Sequence, residues 1–150
     1  MLQSSRLIEF APLPLRIIAG VGFMIHGLPK ILDIGKTQDS FMNMGLPQDL
    51  AILIGLLEFI GGLAILLGIF TRIAAGLLTI QMICAILLVK LSKGFIDGFE
   101  LDLFYLAIMI SLLITGPGFL SIEKNLLKRE MFPKSPKYST TTTTNEKENR

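Results

Sequence analysis

One histidine, His26, and one cysteine, Cys84, are all that the 150 residues contain of those two types. Bis-histidine haem ligation needs two imidazoles and an iron–sulfur cluster needs several thiolates, so the chain carries neither group. A lone cysteine also excludes an intrachain disulfide and a Cys-x-x-Cys redox couple; in its apolar stretch Cys84 reads as a small buried hydrophobe. No glycine-rich fingerprint follows a strand, so no nucleotide site is expected, and no metal site either. Charge is scarce as well, at 17% of residues against 51% hydrophobic, with a mean hydropathy of +0.64. That balance describes an integral membrane protein whose length leaves room for one group of spans and no separate catalytic domain.

The apolar residues fall into four runs, at 13–28, 50–70, 73–91 and 100–115. At about 1.5 Å per residue the second and third match a hydrocarbon core of about 30 Å, while the first and fourth look short. Pro12 and Pro14 suit a helix start, and Pro29 and Pro117 suit stops. The first run has no small-residue cleavage pattern after it and reads as a retained span. Only Thr71 and Arg72 separate the second and third runs, which makes those helices antiparallel neighbours. Between residues 29 and 49 the chain is polar, with Gly35, Gly45 and Pro47, a loop long enough to fold over one mouth of the helices. The expected architecture is an all-α, integral membrane four-helix bundle over residues 1–122. Residues 123–150 form a charged, largely disordered tail with threonines at 140–144.

Basic residues set the orientation. With four spans, Arg6, Arg16, Arg72, Lys124, Lys128, Arg129, Lys134 and Lys137 share one side, against Lys30, Lys36, Lys90 and Lys93 on the other. The positive-inside rule then places both termini, and the tail, in the cytoplasm. The protein is expected to be multi-pass in the cell (cytoplasmic) membrane, with lipids as neighbours. The basic tail is short and mixed with acids, so nucleic acid is not an expected partner.

Against this background Glu58 stands near the middle of an otherwise apolar run. A charge there costs about 2.5–3.5 kcal/mol on insertion scales, so the carboxyl must be protonated, paired or wetted. By helical rise it lies roughly 12 Å below the outer start of its span. His26, Lys30, Lys90, Glu100 and Asp102 fall in the same outer half, while Arg16 and Arg72 belong to the cytoplasmic side. Bland roles exist for each: the lysines can snorkel, Glu100 and Asp102 can favour a helix N-terminus, and His26 can bond a carbonyl. Glu58 itself is either a structural partner of Lys30, Lys90 or Arg16, or part of a ligand or proton site. Glycines and alanines at 61, 62, 68, 74, 75 and 76 allow close helix approach at the turn.

Several strings in order carry a family resemblance: Met24-Ile25-His26-Gly27-Leu28-Pro29-Lys30, then Leu57-Glu58-Phe59-Ile60-Gly61-Gly62, then Gly68-Ile69-Phe70-Thr71-Arg72. With Gly45-Leu46-Pro47, Gly98-Phe99-Glu100 and Gly116-Pro117-Gly118 they resemble the DoxX family over about residues 13–122. The resemblance implies a four-helix inner-membrane protein related to small subunits of terminal quinol oxidase and thiosulfate:quinone oxidoreductase. It points to Arg16, His26, Lys30, Glu58, Arg72 and Glu100 as the family's polar signature. One position departs: where such proteins often place histidine after valine, this chain has Val89-Lys90. Lysine keeps positive charge but neither titrates near neutrality nor ligates metal as imidazole does.

The reading that follows is a membrane subunit of a quinone-linked oxidoreductase that supplies a polar pocket near the outer face. A quinone is the expected cofactor, and another oxidoreductase subunit or a second copy the expected partner. Two other classes stay open: a structural or assembly subunit without ligand chemistry, and a small transporter, for which no inverted repeat is evident.

Overall fold

The computed structural model describes residues 10–118 and 121–123, and those residues are helical with no strand. Helix α1 spans Pro12–Leu32, α2 Ile34–Asn43, α3 Asp49–Leu67, α4 Thr71–Ala85 and α5 Glu100–Thr115. Prolines at the first positions of α1 cost nothing, since those N–H groups have no helical acceptor. Pro29, expected to end the helix, lies inside it. Proline lacks only the N–H that would bond the carbonyl four residues back, at Ile25, and the helix continues past it, Asp33 N–H closing the next turn on Pro29 O at 3.0 Å.

The expected loop at 29–49 is largely helix α2. Asp33 stops α1 and starts α2, its carboxylate accepting from Lys36 N–H at 3.2 Å. No residue of α2 is buried, so this helix lies over the others instead of among them. The tight turn is also displaced from its expected place. Helix α3 ends at Gly68, φ 69°, with Gly68 N–H on Ile65 O and Ile69 N–H on Ala64 O, a pairing that closes the last turn and needs a left-handed residue. Phe70, φ 49°, then reverses the chain, and Thr71 and Arg72 already belong to α4.

Helix α4 runs on through a π-helical turn, Ile86–Lys90, and a tight turn, Leu91–Lys93; Phe95–Phe99 forms a second π-helical turn before α5. Among the described residues three helices are long and apolar enough to cross a membrane: Pro12–Leu32, Asp49–Leu67 and Thr71–Lys93. Helix α5, at 16 residues, covers about 24 Å. Contacts run from α1 to α3, α3 to α4, α4 to α5 and α5 back to α1, the first pair being the most intimate. Ala19, Phe23, Ile65, Leu78, Met109 and Leu112 fill the middle. Outward-facing Ile25, Leu53, Ile80, Leu88 and Ile114 are exposed, as helices facing hydrocarbon require. Cys84, expected to be buried, is exposed on that outward surface, where a thiol is as compatible with lipid as an alkyl group.

Candidate functional site

Small residues bring α1 and α3 together. A Cβ on Gly27 would lie 2.6 Å from Phe59 N, and one on Gly62 would lie 2.7 Å from Gly20 O, so the backbones touch without side chains between. One turn along from Gly27, Lys30 lies over Gly55, and that approach delivers its ammonium to Glu58. Lys30 Nζ donates to Glu58 Oε1 at 2.6 Å and Oε2 at 2.5 Å. From α4, Gln81 Nε2 donates to Glu58 Oε1 at 2.5 Å. Glu58 is 3% exposed, whereas the Lys30 side chain keeps 30% of its surface open. Three helices therefore meet on one carboxylate. The partner is Lys30 among the three considered from sequence; Lys90 and Arg16 are engaged elsewhere.

Lys90, in the π-helical turn, lies 2.5 Å from Asp102 Oδ2 on α5. Asp102 is 8% exposed, and Oδ2 has no partner in hydrogen-bond alignment. Glu100, one of the sequence candidates, stays half-exposed at the start of α5, where the helix dipole favours its charge. His26 is exposed on α1 and meets Tyr105 edge-on, ring centroids 6.2 Å apart; Phe23 meets the other side of Tyr105 at 5.2 Å. His26 is thus not a ligand of Glu58.

At the opposite end Arg16 is 2% exposed and donates to three carbonyls: Ile65 O at 3.0 Å, Leu66 O at 2.9 Å and Pro117 O at 2.8 Å. It neutralises the C-terminal end of α3 and ties it to the segment after α5. Arg72 reaches Ile114 O at 3.4 Å. Glu123 donates its N–H to Gly68 O at 3.1 Å and is itself buried, with Oε2 unpartnered. The tail beyond it lies outside the described residues, as do Arg6 and the tail lysines.

Gln81, Tyr105 and Glu123 escaped the sequence reading. Gln81 offered a signal, an amide in an apolar run at the depth of Glu58. Tyr105 and Glu123 offered none, since a tyrosine near a span end and an acid in a charged stretch are both ordinary.

The DoxX family model matches residues 11–91. A Bacillus subtilis protein named "Putative oxidoreductase CatD" is 37% identical over 120 residues, covering 80% of this chain and 90% of that protein. The Escherichia coli inner membrane protein YqjF is 37% identical over 121 residues, 76% of this chain and 90% of its own. The uncharacterized membrane protein Rv3486 of Mycobacterium tuberculosis is 35% identical over 133 residues, 77% of this chain and 80% of its own. No solved structure matches the chain significantly.

Proposed function

The chain belongs to the DoxX family of membrane proteins, and from that premise we propose that it is the membrane subunit of a quinone-linked oxidoreductase, binding the quinone head without a redox centre of its own. In this reading α1, α3, α4 and α5 all span the cytoplasmic membrane as a four-helix bundle with both termini inside. The acid–lysine pairs then lie in the outer half. A quinone accepts hydrogen bonds at its carbonyls, and its quinol form donates from its hydroxyls, so the head needs both kinds of partner. The observation that carries the reading is the juxtaposition of partly open ammonium groups with buried acceptors: Lys30 beside Glu58 and the buried, unpartnered amide oxygen of Gln81, and Lys90 beside Asp102. Either pair fits a quinone head: its lysine binds and orients a carbonyl oxygen, and its carboxylate holds or releases a proton that accompanies reduction. The bound quinone supplies the electron-accepting chemistry. Electrons come from a partner subunit or a soluble thiol or sulfur donor. The name of CatD, which places that relative among oxidoreductases, is in keeping with this.

Equilibrium binding of a short-chain quinone to the detergent-purified protein tests the proposal. Saturable binding is expected, and loss of it in a folded Glu58→Gln/Asp102→Asn double variant. A wild-type protein that takes up quinone only in proportion to its detergent sinks the reading.

A second reading has its own observation. Both oxygens of Glu58 are engaged by Lys30 and Gln81, which is the pattern of a joint fixing helix register in a structural subunit.

A further inference from the structure

The two hairpins α1/α3 and α4/α5 repeat one another. Arg16-Ile17-Ile18-Ala19-Gly20-Val21 and Arg72-Ile73-Ala74-Ala75-Gly76-Leu77 begin α1 and α4 with the same arginine, isoleucine, alanine and glycine pattern. Each arginine then reaches the end of its own hairpin's second helix. Arg16 donates to Leu66 O and Arg72 to Ile114 O, and both carbonyls stand two positions before a positive-φ glycine, Gly68 or Gly116. Each of those glycines lies against its arginine, so a Cβ there would meet the guanidinium. At the far end each hairpin closes with a lysine on its first helix and a buried acid on its second: Lys30 with Glu58, Lys90 with Asp102. Relative to the arginine and glycine landmarks, Lys90 and Asp102 are both displaced outward by one helical turn, about 5.4 Å. The shifts on two separate helices agree, as a true repeat demands. The extra turn on α4 is where the π-helical segment Ile86–Lys90 sits, and such segments recur at functional sites.

The copies also differ in what completes the acid. In the first, Gln81 from the other hairpin completes the carboxylate of Glu58. In the second, the first hairpin offers no amide; His26 stands beside Tyr105, one turn from Asp102, and Asp102 Oδ2 keeps unaligned acceptor capacity next to a Lys90 side chain that is 36% exposed. We propose that the two acid–lysine pairs have divided labour: Lys30–Glu58–Gln81 is the closed copy that locks the helices, and Lys90–Asp102, flanked by Tyr105 and His26, is the open copy that takes the quinone-type head. This rests on the quinone reading above and assigns its site. Lys90 Nζ gives a hydrogen bond to a ring carbonyl oxygen, Asp102 accepts one from a quinol hydroxyl, and the Tyr105 ring bounds the space. Gly22 permits this, because a Cβ there would run into the Tyr105 hydroxyl.

The test compares single variants of the full chain in detergent, with a short-chain benzoquinone as probe and affinity read per folded protein. Asp102→Asn is expected to weaken binding about tenfold, the value of one hydrogen bond to a charged group, with little change in melting. Tyr105→Leu, which removes the ring that bounds the site, is expected to weaken it severalfold and serves if Asp102→Asn does not fold. Glu58→Gln is expected to lower the melting temperature while leaving affinity per folded molecule unchanged. Loss of affinity in Glu58→Gln with none in Asp102→Asn or Tyr105→Leu overturns the assignment and leaves the quinone reading standing. Equal losses at both acids overturn the division of labour. Absence of saturable wild-type binding overturns the assignment and the quinone reading together.

Discussion

Replacing Lys30 by Met keeps a long apolar stem across Gly55 and removes the ammonium. Glu58, 3% exposed, then retains Gln81 alone as donor, and its Oε2 has none. Breaking a buried pair from one side costs about 3–5 kcal/mol, because the remaining charge is unpaired in a place that water does not reach. Glu58→Leu has a different cost: the Lys30 ammonium, 30% open, can turn toward the rim, and Gln81 Nε2 loses its acceptor, for about 1–3 kcal/mol. Combining the two changes removes the stranded carboxylate, so the double variant is expected to be no worse than Glu58→Leu and better than Lys30→Met. The coupling is then at least the cost of Lys30→Met alone, about 3 kcal/mol or more, well above what independent sites show. Adding Gln81→Leu relieves the orphaned amide and recovers more. Unfolding followed by far-UV circular dichroism in mixed detergent reads these differences. Strict additivity of the two single changes refutes the claim that Lys30 holds the charge of Glu58.

Other substitutions probe other joints. Arg16→Lys keeps the charge but has one nitrogen in place of a guanidinium bonded to three carbonyls, so it is expected to melt nearly as low as Arg16→Ala, a loss of about 2–4 kcal/mol. Gly62→Ala forces α1 and α3 apart at Gly20 O and is expected to destabilise by more than 1 kcal/mol, roughly the scale of overpacked contacts. Gly35→Ala, with nothing within 4 Å, is expected to be neutral or to stabilise α2 by up to about 1 kcal/mol; the same melts check both. Reporter fusions at the C-terminus and within 36–45 should report opposite sides of the membrane, with the C-terminus in the cytoplasm.

Most of the helices were legible because long apolar runs admit little else: α1, α3, α4 and α5 lie within a few residues of the runs in the sequence. Pro29 misled, since its effect on a helix depends on what lies beside the freed carbonyl, and neighbouring helices are not visible in a string of letters. Helix α2 was hidden by its polarity and by Gly35, which hydrophobic periodicity cannot distinguish from a loop. The importance of Glu58 was legible from solvation cost alone, and the choice of Lys30 over Lys90 or Arg16 was not. That choice depends on Gly27 and Gly55 setting the α1–α3 register, a matter of backbone proximity. Gln81 entered the site through the crossing of α4 behind α3, and the pairing of Lys90 with Asp102 through a π-helical turn that sequence propensity does not announce.

Photolabelling of the purified protein with an azido-quinone, followed by mapping of the modified peptides, tests the central claim most directly. Label confined to the segment from Lys90 to Tyr105, competed by unlabelled quinone and weakened in Asp102→Asn, is the predicted result. Label spread over outward-facing residues such as Ile80 and Ile114 and insensitive to competition contradicts it, because that is the pattern of a solute dissolved in the surrounding detergent.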